Sequence, residues 1–224
     1  MSRQAENLRA EQGCVRAIVG VLAFALFLPL SLATAADLTV TVTDKDGKPV
    51  PDSVVFLMGG PPTEPGPTVK MVQRDQSFNP DVLAISVGTK IEFPNEDPFR
   101  HHVYSFSPAK RFELKLYGGD EVQEVTFDQA GEIAMGCNIH DDMLGYIYVV
   151  DTNLLGTTNE NGEATISGLE DGSSYEAQVW HPRLRGPTRR TAQTVTATQS
   201  ATIEIGLKRD RRKQSGSDFE EGAY

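Results

Sequence analysis

Apolar and polar residues alternate with period two along much of this chain, in runs of five to eight residues, which is the pattern of half-buried strands. Leu38-Thr-Val-Thr-Val-Thr43 alternates, Asp46-Gly47 turns, and Ser53-Val-Val-Phe-Leu-Met58 resumes extended structure. Further strands are expected over 69–73, 82–87, 90–93, 102–107, 113–116, 121–127 and 145–150. Residues 59–67 hold four prolines and three glycines, which predicts an exposed loop. So many short strands separated by turn residues indicate an all-β sandwich or barrel.

A second set of strands is expected after residue 150. Glu160-Asn-Gly-Glu163 signals a turn, 164–166 and 175–180 read as strands, and the alternation in the latter puts Tyr175, Ala177 and Val179 on one face. Residues 192–207 add Thr- and Val-rich extended chain. The organisation expected is one β domain over 37–150, followed by a small β-sandwich-like domain or extension over 151–207. From 208 to 224 the chain is basic, then Gly- and Ser-rich, then acidic, with little to bury, which predicts a disordered tail.

The first 36 residues stand apart from this pattern. Arg3, Arg9 and Arg16 precede the apolar run 17–30, and Ser31-Leu-Ala-Thr-Ala-Ala36 offers the small residues a signal peptidase accepts. A signal peptide over 1–36 is expected, cut near Ala35 or Ala36. The apolar run falls short of the roughly 20 residues that span a bilayer, so the expectation is an exported or periplasmic protein with no membrane span after cleavage. With 31 acidic against 21 basic side chains, the formal charge of −10 argues against nucleic acid as partner and is compatible with a basic protein partner. Of the two cysteines, Cys14 leaves with the signal, so Cys137 has no disulfide partner and calls for burial or ligation.

The chemistry concentrates around that cysteine. In Gly136-Cys137-Asn-Ile-His140-Asp-Asp-Met143, thiolate, imidazole and thioether recur every third residue in a segment between two β-like runs. A tight strand-to-strand loop would turn all three toward one point. This soft donor set suits copper in both oxidation states, whereas zinc would gain little from the thioether. A fourth ligand must come from upstream, where His101 and His102 are the histidines available. Adjacent strand residues face opposite ways, so one of the two is expected to reach the metal. The plain alternative is an inert buried Cys137, a surface His140 and a core Met143.

With Phe93-Pro-Asn-Glu-Asp97 followed by His101-His-Val-Tyr-Ser105, and with the Cys137, His140 and Met143 loop, the chain resembles the cupredoxins, the blue copper fold of plastocyanin, pseudoazurin and azurin. Ser105-Phe-Ser-Pro-Ala-Lys-Arg-Phe-Glu-Leu114 is similar to bacterial plastocyanin-like proteins often labelled methylamine utilization proteins. The resemblance covers 37–150 and implies a Greek-key β-sandwich. It also implies one copper ion bound by His101, Cys137, His140 and Met143, and single-electron exchange with a redox protein such as a c-type cytochrome or a respiratory complex. Residues 151–207 resemble β-sandwich additions of the carboxypeptidase regulatory or transthyretin type, with Trp180-His-Pro182 as the matching segment. Two departures are visible: His102 stands where the family commonly has asparagine, and His140 and Met143 are separated by two residues where plastocyanin has four.

Around the ligands, Asn95 either braces the loop by hydrogen bonding, as the resemblance implies, or belongs to a plain turn. Asn138 either caps the thiolate through its N–H or only shapes the turn. His102 is the alternative ligand or a hydrogen-bonded surface histidine. Met135 and Trp180 read as core, Trp180 in the second domain, and His181 as structural. Asp141-Asp142 reads as a docking patch for a basic partner or as a solvated turn. An exported copper chaperone or storage protein is the competing function, and a metal-free β-rich binding protein the structural alternative. An enzyme is not expected, since Met143 would fill the position a substrate needs and no nucleophile–base pair supports hydrolysis.

Overall fold

The computed structural model describes residues 35–60, 63–186 and 189–209. The expected signal segment lies outside them except for Ala35 and Ala36, as does the tail beyond Arg209. All regular structure among the described residues is β. The chain begins with β1 (Ala35–Asp44) and β2 (Val54–Met58). It continues through β3 (Val69–Lys70), β4 (Val72–Arg74), β5 (Ser77–Asn79), β6 (Val82–Ser86) and β7 (Thr89–Pro94). Next come β8 (His101–Ser107), β9 (Lys110–Tyr117), β10 (Val122–Phe127), β11 (Gly131–Gly136) and β12 (Leu144–Val150). Last are β13 (Leu155–Thr157), β14 (Glu163–Glu170), β15 (Ser174–Trp180), β16 (Arg190–Thr196) and β17 (Ala201–Ile205).

The middle of the chain forms one sandwich. A five-stranded sheet in the order β6-β12-β11-β8-β9 and a three-stranded sheet β10-β7-β3 share a core that includes Ile91, Phe93, Val103, Phe127, Ile133 and Ile147. The β4-β5 hairpin seals one side of this core. Phe78 of β5 fills the space above Gly145 of β12, where a Cβ would come within 2.9 Å of the Phe78 ring. The absence of a side chain at Gly145 is what lets the hairpin seat there.

The outer strands of the chain form the second sandwich, and this corrects the linear division expected at residue 150. β1 pairs with β14 and, in parallel, with β17, while β2 pairs with β13 and β15. Residues 35–58 therefore share a core with 154–205, including Leu38, Val40, Leu57, Ile166, Val179 and Ile203. The alternation in 38–43 specifies a strand and its buried face but carries no information about which distant strand supplies the partner edge. Before the chain enters the first sandwich, residues 63–68 are tied down where Gly66 N–H donates to Thr89 Oγ1 at 3.0 Å and where Glu64 and Asn153 exchange two bonds. Other differences are local: 69–73 is split between β3 and β4, 192–207 between β16 and β17, and β5, β11 and β13 escaped the sequence reading. Lys208, expected in the loose tail, is held by Arg183, its N–H donating to the Arg183 carbonyl at 2.8 Å.

β2 and β12 are buried on both faces, which explains their near-continuous apolar runs. In β2, Val55 and Leu57 face the second core while Val54 and Phe56 face outward. In β12, Ile147 and Val149 face the first core while Tyr148 and Val150 face outward. The outward faces meet, with Trp180 between them. Trp180 is thus a junction residue and not, as expected, the core of the second unit. It stacks on Tyr148 at 4.6 Å between centroids, and its indole N–H donates to Glu132 Oε2 at 3.3 Å. Arg189 holds the other Glu132 oxygen at 2.9 Å. Replacing Trp180 with Ala is expected to cost about 3–5 kcal/mol, because a fully buried ring is lost and its site cannot collapse. Denaturant unfolding of the two chains measures it; an unchanged midpoint would place the junction outside the folded core.

Candidate metal centre

Two chain segments at the end of the first sandwich build the site. The first runs from Asn95 to His101, between β7 and β8. The second is the 137–143 loop between β11 and β12, closed by Cys137 N–H to the Met143 carbonyl and Met143 N–H to the His140 carbonyl, both at 3.2 Å. Pleating of β8 sends His101 inward, fully buried, and turns His102 to the outer face. A bulge opposite the start of β8 helps: His101 pairs with Tyr117 and Val103 with Leu114, so β9 carries one extra residue there. That extra residue turns Tyr117 inward and leaves Leu116 exposed.

His101, Cys137 and His140 converge, with one ligand atom from each lying within 4.8 Å of the others. The Cys137 sulfur is 3.7 Å from Nδ1 of His101 and 3.7 Å from Nδ1 of His140. Metal bonds of about 2.3 Å to sulfur and about 2.0–2.1 Å to imidazole nitrogen, opened to a trigonal angle, would separate S and N by about 3.8 Å. The donor atoms therefore already stand at a spacing that one metal ion can bridge. The thiol is free and buried, so it is kept from the wandering chemistry of an exposed thiol. Met143 is buried in the same core as Cys137, at the far end of the same loop. Phe99 caps the cluster, its ring 5.2 Å from that of His101 and 5.5 Å from that of His140.

Two facing sheets of this topology, with a His-Cys-His cluster at one end and a methionine in the same loop, decide the architecture. The fold is that of a cupredoxin. No family model and no curated protein matches the chain. Among solved structures, a Cu-containing nitrite reductase (NirK) from Thermus scotoductus SA-01 is similar at 31% identity, over 50% of this chain and 28% of that one, with a TM-score of 0.37. The chain thus spans little more than a quarter of that relative's length. A purple cupredoxin from Nitrosopumilus maritimus is similar at 20% identity, over 37% of this chain and 99% of that one, with a TM-score of 0.34. An oxidized amicyanin mutant is similar at 15% identity, over 43% and 98%, with a TM-score of 0.35.

The remaining candidate residues fall in different places. Asn95 is buried; its amide donates to the Phe99 carbonyl at 2.8 Å and the Tyr117 carbonyl at 3.1 Å, and its oxygen accepts from Asp97 N–H at 3.0 Å. It braces the segment leading to His101, and these bonds do not touch the cysteine loop. His102 points away from the cluster and bonds Glu113 through Nε2 at 2.9 Å. Asn138 lines the same outer hollow as His102, Tyr104 and Glu113. Met135 is core, and His181 accepts a bond from Arg183 N–H at 3.0 Å on Nδ1.

Sequence reasoning passed over Asp97 as a site residue. Its carboxylate lies 2.7 Å from Nε2 of His101. Burial pushes the Asp97 carboxyl up, but the His101 bond and the N–H groups of Gln76 and Asp75 outweigh it and hold it below its ordinary value. An ionised carboxylate only accepts, so Nε2 of His101 donates to it, and Nδ1 is the ring nitrogen that faces Cys137. The signal was present in the sequence, as an acidic residue four positions before the inward histidine. Titration with Co(II) tests the assignment: His101→Gly should abolish tight uptake while His102→Gly leaves it within about threefold, and the reverse order would move the ligand to His102.

Proposed function

We propose that this chain is an exported type 1-like copper protein that carries single electrons, binding one ion through His101, Cys137, His140 and Met143. The observation that carries this reading is the buried Cys137 sulfur held between two Nδ1 atoms at equal distance. A bound copper ion supplies a one-electron Cu(II)/Cu(I) couple. Cys137 would hold the ion as a thiolate together with the imidazoles of His101 and His140, and the Met143 thioether would tune its potential. Because His101 lies on β8 and the other three ligands lie in a short loop held between the paired strands β11 and β12, little has to move when the charge changes.

His140 is the electron port of this reading. It is only partly buried, and exposed Phe99 and Ile139 flank it with apolar surface on which a partner can rest. Asp141 and Asp142 next to it are exposed and suit the basic rim of a redox protein such as a c-type cytochrome. The basic and then apolar N-terminal pattern supports a carrier exported to the periplasm or otherwise outside the cytoplasm. A copper chaperone needs ligands that leave easily. Here His101 is fully buried and fastened at its second nitrogen, which favours retention of the metal over delivery.

Cu(II) added to the purified protein should bind tightly and produce a thiolate-to-copper charge-transfer band with the matching paramagnetic resonance spectrum. Cys137→Ser should lose the band altogether. A wild-type spectrum that survives this substitution, or loss of copper to a mild chelator within minutes, would overturn the carrier reading. Met143→Leu should keep the band and raise the reduction potential, as removal of an electron-donating axial thioether destabilises Cu(II).

A further inference from the structure

Asp97 does more than touch His101. Its Oδ1 accepts from Asp75 N–H at 2.8 Å, and its Oδ2 accepts both from Gln76 N–H at 3.1 Å and from the His101 ring. The carboxylate is 6% exposed and the His101 side chain 0%. Asp75 and Gln76 form the two-residue turn between β4 and β5, and both have positive φ, 54° and 56°. Left-handed backbone costs a non-glycine residue roughly 1–2 kcal/mol, and the sequence places no glycine at either position. The turn therefore depends on outside support, and the support it receives is the same carboxylate that holds the histidine. A second tie lies beside it: Glu96 N–H donates to the Gln73 carbonyl at 2.9 Å, and the Arg74 guanidinium grips the Glu96 carboxylate.

We propose that Asp97 is a positioning residue that fixes the His101 ring with its proton on Nε2 and Nδ1 toward Cys137, and that through the same carboxylate it couples order in the β4-β5 turn to the metal centre. The inference rests on the copper-carrier reading for its effect on potential, and on the protein alone for its effect on the ring and the turn. Negative charge on Nε2–H makes the imidazole a stronger donor and favours the more highly charged ion. The near-isosteric amide of Asn cannot replace it. Three N–H donors converge on two carboxylate oxygens, and an amide would turn an NH2 against at least one of them.

Nitrogen-15 NMR of the metal-free wild-type protein reads the ring directly. The expected result is a proton on Nε2 of His101, and a proton on Nδ1 would overturn the proposal whatever the protein binds. In copper-loaded Asp97→Asn, the ratio of Cu(II) to Cu(I) affinity should fall about tenfold, a rise of about 59 mV for a one-electron couple. Amide exchange at Asp75 and Gln76 should accelerate at least tenfold, with Ile133 and Ile147 unchanged. An unaltered potential in a loaded variant, or unaltered exchange at the turn, overturns the positioning role and the coupling respectively. Failure of wild type to take up copper would instead remove the carrier reading and leave the ring and exchange results to stand on their own. If Asp97→Asn does not fold, the ring measurement on wild type decides.

Discussion

A buried thiol facing two imidazole nitrogens is an arrangement that folding alone has little reason to make. The sulfur is a weak hydrogen-bond partner, and two ring nitrogens brought out of water toward it forfeit better partners there. Everything around the cluster works to hold it nonetheless. The pleat of β8 turns His101 inward, the bulge in β9 brings Tyr117 in beside it, and the short bonds across the 137–143 loop fold His140 back over Cys137. Tyr117, whose phenol is pushed strongly upward by burial, stays neutral and donates to the Phe93 carbonyl at 2.8 Å, tying β9 to β7 under the site. A metal ion would convert this cost into bonding, and the donor set and the stiffness of its frame suit that same use.

The two segments that build the cluster were legible in the sequence to different degrees. Cys137, His140 and Met143 lie in one loop, and local spacing suffices to bring them together. The choice of His101 over His102 followed from strand alternation and family likeness together, and the pleat of β8 separates the two residues as alternation requires. The contact of Asp97 with His101 left a trace in the sequence, an acidic residue four positions upstream, but its hold on a hairpin turn 21 and 22 residues away did not, because no periodicity reports such a contact. The bulge at Lys115 and Leu116 was hidden for a related reason. An extra residue breaks the period-two pattern, so the sequence reading ended the strand at 116, one residue before the buried Tyr117.

The exchange of N-terminal strands was illegible for a deeper reason. Hydrophobic alternation specifies which face of β1 is buried, and it would read the same in either sandwich. Pairing of β1 with β14 and β17 joins residues more than 120 apart in sequence, and it is selected by fit across the whole core, as are most long-range β contacts. One clue was available. The runs at 53–58 and 145–150 are apolar without alternation, and such runs belong to strands covered on both faces. A second layer had to lie on each of them, and each covers the other.

That mutual cover also determines where the second sandwich meets β12 relative to the His-Cys-His cluster. Contacts with it begin at Tyr146 and centre on Tyr148, Val150 and Trp180. At about 3.3–3.4 Å per residue, Tyr148 lies roughly 17 Å along β12 from Met143. The junction therefore grips the strand that carries one side of the ligand loop without reaching the loop itself. His140 is only partly buried, while β12 is covered on both faces a short way behind the loop. A strand packed on both faces has little freedom to move, so the second sandwich steadies the strand that follows Met143.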